Sequence, residues 1–365
     1  MIRYLFITPI DTLTPRGHRQ FGAAGSFGEA AMPPAPSVFA GALRSALIGG
    51  DAHTLAAFER RERQANDLDF RLTHAGLGRR IEGRIEAFFP LPADLVAFDD
   101  GLHRIEPQTR PAGLKSADPL PLAPLLRAPR GKPRSNIWLT ESGWRVYLAG
   151  DLPEMRHLVT GGDLWKTETR PGIALDGATR TGMDGALFSV EHVALADGIG
   201  FIAGFSGAGL PNTGALRLAG DGRAARWQAI DWMPPAASLE TLAPTRRFRL
   251  ILATPGLFAE GWLPTGVDPI TRRLAHADFS ARLACAAVSR AELVSGWDLG
   301  INAPKTAQRA APAGSVYWFD EFEGKGDIGD KLADWVANGL WNDNDGIDEA
   351  RRAEGWNRAW LGIWK

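Results

Sequence analysis

Arg247-Phe248-Arg249-Leu250-Ile251-Leu252-Ala253-Thr254-Pro255 restates the beginning of the chain, Arg3-Tyr4-Leu5-Phe6-Ile7-Thr8-Pro9. Each is an apolar run of strand length, and each is closed by Thr-Pro, because proline cannot donate to a ladder. The echo predicts a second domain that restarts the design of the first. A proline-rich stretch, Pro234-Pro235 to Pro244, stands before the second copy as the linker. The expected domains are 1–236, with insertions around 51–163, and 244–365. The expected fold class is α+β, a duplicated sandwich in which each half is a small antiparallel sheet with helices on one face.

Working inward, Ala186–Val193 nearly alternates, with Leu187, Val190 and Val193 against Ser189 and His192, and reads as a strand. Ala196-Asp197-Gly198 supplies a turn, and Gly200–Phe205 returns as its hairpin partner. In front of the hairpin, Lys166, Arg170, Arg180 and Thr181 share a stretch with Gly172, Gly177, Gly182 and Gly185, read as a glycine-rich loop. Arginine offers a two-pronged donor to phosphate, and glycine lets backbone N–H groups come close. An ordinary solvated loop has the same composition.

Outward from there, Arg16-Gly17-His18-Arg19-Gln20-Phe21-Gly22 is basic and glycine-rich, with one aromatic that could stack a base. Pro33–Pro36 leads into a helix with Ser37 as N-cap, a slim face of Val38, Gly41, Ala42, Ser45 and Ala46, and a stop at Gly49-Gly50. Its N-terminus beside the Arg16 loop is a perch for phosphate. Between Asp51 and Asp163 the expectations are a polar helix at Thr54–Asn66, strand fragments at Glu82–Phe89 and Gly143–Leu148, and no regular core element in Pro107–Pro133. Asp221-Gly222 reads as a two-residue hairpin turn with Arg223 beside it. Further strands are expected at Ala284–Ser289, Gly314–Phe319 and Trp360–Trp364, and a helix at Asp327–Trp335.

Glu168-Thr-Arg170-x-Gly172-Ile173 with Leu175-Asp176, then Thr179-Arg180-Thr181, Gly185–Ser189 and Glu191, resembles the RAMP superfamily of CRISPR systems. More narrowly, the chain is similar to the Cmr-type subunit that holds the 5′ end of the guide RNA in type III-B effector complexes. Pro9-Ile-Asp11 with Arg16–Phe21, the run Pro36–Leu47, and the Pro304-Lys305 and Ala313–Phe319 pieces support the resemblance in matching order. It implies two ferredoxin-like (RRM-like) domains with antiparallel sheets, glycine-rich loops and a β-hairpin protrusion. It also implies a non-catalytic RNA-binding subunit that clamps the repeat-derived 5′ handle of the CRISPR RNA. Such a subunit docks to the large polymerase-like subunit, abuts a backbone RAMP subunit and meets target RNA only indirectly. Carried over by motif, the RNA-lining residues are Arg16, His18, Arg19, Phe21, Ser37, Arg44, Lys166, Arg170, Arg180, Thr181, Arg223, Lys305 and Arg309.

Composition is compatible with that expectation without demanding it. Forty-one Lys+Arg against 42 Asp+Glu give a net charge of −1, unlike the basic balance of a free-standing nucleic-acid binder. No apolar run approaches the roughly 20 residues that span a bilayer, and the opening residues lack a signal-peptide layout. The single cysteine, Cys285, has no partner for a disulfide in this sequence, and a reducing cytoplasm is the expected location. None of the seven histidines is paired at i, i+4, the spacing a helix-borne zinc pair needs, and there is no Gly-x4-Gly-Lys-[Ser/Thr] phosphate loop, so the expectation is of no metal and no cofactor. Gly204-Phe205-Ser206-Gly207 misplaces glycine for a nucleophile elbow, and Gly198-x-Gly200 opens no helix. Two competing classes are a metal-independent RAMP endoribonuclease using His18, which would trim the guide, and a carbohydrate-binding protein using some of the 13 tryptophans.

Overall fold

The structure, a computed structural model, describes residues 2–17, 27–60, 68–117, 119–128, 131–207, 209–238, 240, 244–298, 303–324, 327–341 and 348–365. The chain divides into two compact units. One comprises Met1–Ala87, Gly161–Trp232 and Ser295–Thr306, and the other Phe88–Thr160, Met233–Val294 and Ala307–Lys365. The architecture is α+β with mostly antiparallel sheets.

The first unit contains β1 (Arg3–Pro9), α1 (Pro36–Gly49), β2 (Phe70–Ile81), β3 (Trp165–Leu175), β4 (Gly182–Leu195), β5 (Ile199–Gly207), β6 (Thr213–Leu218) and β7 (Arg223–Ile230). Its main sheet runs β6-β7-β1-β5-β2, with every pairing antiparallel. β1 lies in its interior, with Leu5 opposite both Ala203 and Ala229, so Leu5, Phe6 and Ile7 are all buried. Across the sheet, α1 presents Phe39 edge-on to Phe201 at 5.2 Å.

Several expectations change here. The cap of α1 is Ala35, with Pro36 in the first turn and no side-chain cap bond; Ser37 lies inside the helix. Its packing face is Phe39, Ala40, Ala42 and Leu43, while Gly41 points to open space, because the larger apolar side chains cover more surface than the small ones. β2 is a strand that the sequence reading leaves blank. Gly76 and Gly78 resemble loop residues, yet a Cβ on Gly78 would lie 2.7 Å from Ile202 Cδ1. Close packing explains that glycine, and the strand after it is Arg84–Pro90, entered through a turn with positive φ at Glu82 and Gly83. The polar helix is Ala52–Glu59, capped by Asp51, and 61–67 lie outside the described residues.

The supposed glycine-rich loop is largely strand. β3 pairs with β4 from Trp165↔Leu195 to Leu175↔Gly182, forming a long ribbon with Phe27–Gly28 alongside β4. Only the turn at its tip is loop.

The second unit contains β8 (Phe248–Leu252), β9 (Phe279–Ala287), β10 (Val316–Gly324), α2 (Ile328–Asn338) and β11 (Ala359–Ile363). These strands run β9-β10-β8-β11, all antiparallel. Phe248 stacks on Phe319 at 5.0 Å, and α2 buries Leu332 and Trp335 on this core. Glu141–Leu148 is a helix rather than a strand fragment. Thr140 caps it, and Trp144, Tyr147 and Leu148 are buried at helical spacing. Within the proline-rich stretch, Ala123–Leu126 does form a short strand, paired with Leu102–Gln108.

Candidate nucleic-acid interface

After β1 the chain runs through Ile10–Gly17, and backbone bonds hold it on both sides. Leu13 exchanges N–H···O bonds of 2.9 and 2.8 Å with Val193 of β4. Opposite, Ile10 N–H donates to Ala224 O (3.0 Å) and Gly220 N–H donates to Thr14 O (3.1 Å). The approach is close: a Cβ on Gly220 would lie 2.8 Å from Thr14 Oγ1 and 2.9 Å from Thr14 O. The β6–β7 turn therefore needs glycine there, and Asp221 (φ 58°) and Gly222 (φ 60°) complete a four-residue hairpin loop.

Three arginines far apart in sequence meet around this segment. Arg16 lies at its end, Arg170 on β3, and Arg223 at the start of β7. The fields of Arg170 and Arg223 both reach Asp11 and His192. Each arginine has a carboxylate beside it. Arg16 Nη2 is 3.5 Å from Asp221 Oδ1, Arg170 Nη2 is 3.3 Å from Glu168 Oε2, and Arg223 Nη1 is 3.4 Å from Asp11 Oδ2. Beneath them His192, opposite Glu168 in the ribbon, is buried with Nδ1 3.1 Å from Thr12 Oγ1. Burial, then the charges of Arg170 and Arg223, hold the His192 pKa below its usual range. The Thr12 N–H bond, then the arginines, lower the Asp11 pKa and keep it ionised.

Ala30 and Ala31 are held here too. Ala30 N–H donates to Glu191 Oε2 (2.9 Å), and Ala31 N–H to Pro15 O (2.8 Å). His18, Arg19 and Phe21 lie outside the described residues.

Residues 5–364 match the Cas_Cmr3 family of CRISPR-associated proteins. The chain belongs to that family. No curated protein matches it. Among solved structures it is similar to a chain of the type III-B Cmr-beta complex bound to cognate target RNA. The TM-score is 0.55 at 14% identity over 98% of this chain and 96% of that one. A chain of the same complex with target RNA and AMPPnP, state 1, gives a TM-score of 0.53 at 15% identity with the same coverage. At such identity the likeness is one of fold.

The remaining expected RNA-lining residues of this Cas_Cmr3 member are dispersed. Lys166 is exposed on β3. Arg180 and Thr181 occupy the turn at the ribbon tip, where Asp176 Oδ1 accepts from Ala178 and Thr179 N–H, and Arg180 takes a φ of 57°. About five strand residues separate the tip from Arg170, roughly 15–20 Å. Ser37 is half-buried in the first turn of α1. Arg44 is buried with its guanidinium 5.3 Å from the Phe70 ring centroid, which makes it a packing residue. Lys305 belongs to the first unit, its carbonyl accepting from Ser295 Oγ, whereas the exposed Arg309 pairs opposite Leu293 in the second.

The sequence reading misses the companions Asp11, Glu168, Asp221 and His192. Glu168 and Arg170 are two apart on one strand and so share a face; read as a strand, that pair would have been legible. Among the described residues no group of His, Cys, Asp and Glu is arranged to hold a metal ion, and no helix is long and apolar enough to cross a membrane.

Proposed function

We propose that this Cas_Cmr3 member is a non-catalytic RNA-binding subunit of a type III-B CRISPR effector complex, holding the repeat-derived 5′ handle of the CRISPR RNA. It docks to the large polymerase-like subunit and to the adjacent backbone RAMP subunit, meets target RNA only indirectly, and works in the cytoplasm. The observation that carries the reading is the gathering of Arg16, Arg170 and Arg223 from three distant segments onto one neighbourhood in a chain of a CRISPR-associated family. Guanidinium forks suit phosphate and base edges. His192, the described histidine of the site, is buried and engaged with Thr12, a poor position for a general base that must reach an RNA hydroxyl.

Two ferredoxin-like halves go with this reading. Taken in chain order as first to fourth, β1, β2, β5 and β7 are arranged 4-1-3-2, and so are β8, β9, β10 and β11. That antiparallel order is the one a ferredoxin-like unit uses. The helix follows the first strand in one half and the third strand in the other.

The test is to tag the chain in its source cells, recover it at moderate salt and sequence the RNA that accompanies it. Guides sharing one repeat-derived 5′ end, with a large polymerase-like protein in the same eluate, are expected. An eluate without RNA would refute the proposal.

A further inference from the structure

The arginine site carries carboxylates among its cations, and they bear on what it recognises. Asp221, Glu168 and Asp11 lie 3.3–3.5 Å from Arg16, Arg170 and Arg223 respectively. A track for phosphate is built from uncompensated cations, because its attraction scales with the counterions it releases. Carboxylates placed among the cations cancel that field and repel phosphate. They have another use at a nucleic-acid surface, since a carboxylate accepts from the amino group of a base, and unstacked RNA bases present those edges.

Two of the three carboxylates are built for such a use. Asp11 is fixed by the Thr12 N–H to Oδ1 (2.6 Å) and touches Arg223 through Oδ2, while its side chain is 62% exposed. A carboxylate offers about four acceptor positions, so Asp11 retains capacity for a ligand. Asp221 is held on the αL turn beside Gly220, and its bonds to Thr14 Oγ1 and Arg16 are both 3.5 Å, with the side chain 50% exposed. Those distances are at the outer limit of a hydrogen bond, and a better donor would replace them.

Resting on the RNA-binding reading above, we infer that Asp11 and Asp221 are base-reading groups, whose carboxylates accept from the exocyclic amino groups of cytosine, adenine or guanine. Their second effect is to keep Arg223 and Arg16 from binding RNA of any sequence. Uracil is the base that this arrangement rejects: it has no amino group, and its N3–H lies between two carbonyl oxygens that oppose a carboxylate.

The experiment measures binding of the full chain to oligocytidylate and oligouridylate of equal length. Wild type, Asp11→Asn, Asp221→Asn and the double variant are compared across a salt series, with melting temperatures confirming the fold. Wild type should prefer oligocytidylate. The double variant should bind oligouridylate several-fold more tightly, lose at least about threefold of the preference, and steepen its salt slope by about 0.7 for each arginine released. Unchanged preference and slope in all variants, with wild type still binding RNA, would overturn the inference and leave the RNA-binding reading standing. A wild-type chain that binds neither these RNAs nor guide handles would overturn both.

Discussion

Replacing Arg249 with methionine should unfold the second unit far more readily than an ordinary core substitution. Arg249 is 2% exposed on β8. Its Nη1 donates to Asp94 Oδ2 (2.9 Å), Nε to Ile363 O (3.0 Å) and Nη2 to Tyr147 O (2.6 Å), with the guanidinium 4.3 Å from the Tyr147 ring centroid. Asp94, fully buried, has a second donor in Tyr147 Oη (2.7 Å). Burial raises the Tyr147 pKa well above its ordinary value, so the phenol stays a donor. Methionine would leave the buried Asp94 with the Tyr147 hydroxyl as its side-chain donor and the more distant Arg104 as the remaining cation, a destabilisation of about 3–5 kcal/mol. In a unit of this size that lowers the melting temperature by roughly 6–20 °C. Removing both charges, in Asp94→Leu/Arg249→Met, eliminates the stranded ion and should recover about 2 kcal/mol of the single variant's deficit, despite the carbonyls left unpaired. Calorimetry on the two singles and the double closes the cycle. A single deficit below about 1 kcal/mol, or strictly additive deficits, would refute the claim that the pair is a coupled buried ion pair.

Four further outcomes follow from the same structure. Cys285 is fully buried with its thiol pKa pushed up to about 12, so a disulfide reagent should label it only after urea is added; rapid native labelling would contradict the burial. Because the folded pKa of His192 lies below the usual 6.5, the unfolded chain takes its proton first as pH falls. Stability should therefore decline below about pH 6.5, His192→Gln should lessen the decline, and an NMR midpoint at or above 6.5 would remove the arginines from its surroundings. Gly220→Ala should cost about 1–3 kcal/mol by overpacking against Thr14, and should weaken RNA binding by shifting Arg16 and Arg223; a neutral melting temperature would contradict that close approach. Arg180→Ala at the ribbon tip should flatten the salt dependence of log K by about 0.7–0.9 if it neutralises one phosphate, and an unchanged slope would take the ribbon tip out of the RNA site.

Much of the local structure is legible without the fold. The echo of Arg3–Pro9 in Arg247–Pro255 marks the matching strands β1 and β8, which hold equivalent places in the two 4-1-3-2 arrangements. Asp221-Gly222 announces its hairpin, since few other residues take positive φ without cost, whereas the turn at Asp197-Gly198 joins no hairpin: β4 pairs with β3, and β5 lies in the other sheet between β1 and β2. Asp327 announces the start of α2 as its cap. What defeats local reading is glycine kept for close packing. Gly78 against Ile202 and Gly172 against the Phe188 ring, 2.5 Å from a Cβ, make β2 and β3 resemble loops.

Arg16, Arg170 and Arg223 are individually conspicuous in the sequence, as basic residues beside glycine. Their convergence is tertiary, because Leu13 must find Val193 and Gly220 must find Thr14 across the chain. The carboxylates beside them are equally a matter of register. Arg249 shows the division most plainly. Counted from the arginine that opens each run, it stands where Leu5 stands in the first copy, so by pattern alone it is a charge in a core strand. Its acceptor, Asp94, lies 155 residues away. Periodicity and turn chemistry are properties of neighbours along the chain, and the sequence by itself determined the strands, turns and caps that depend on them. Charge pairing depends on distance in space, and only the tertiary structure decided which acid meets which arginine.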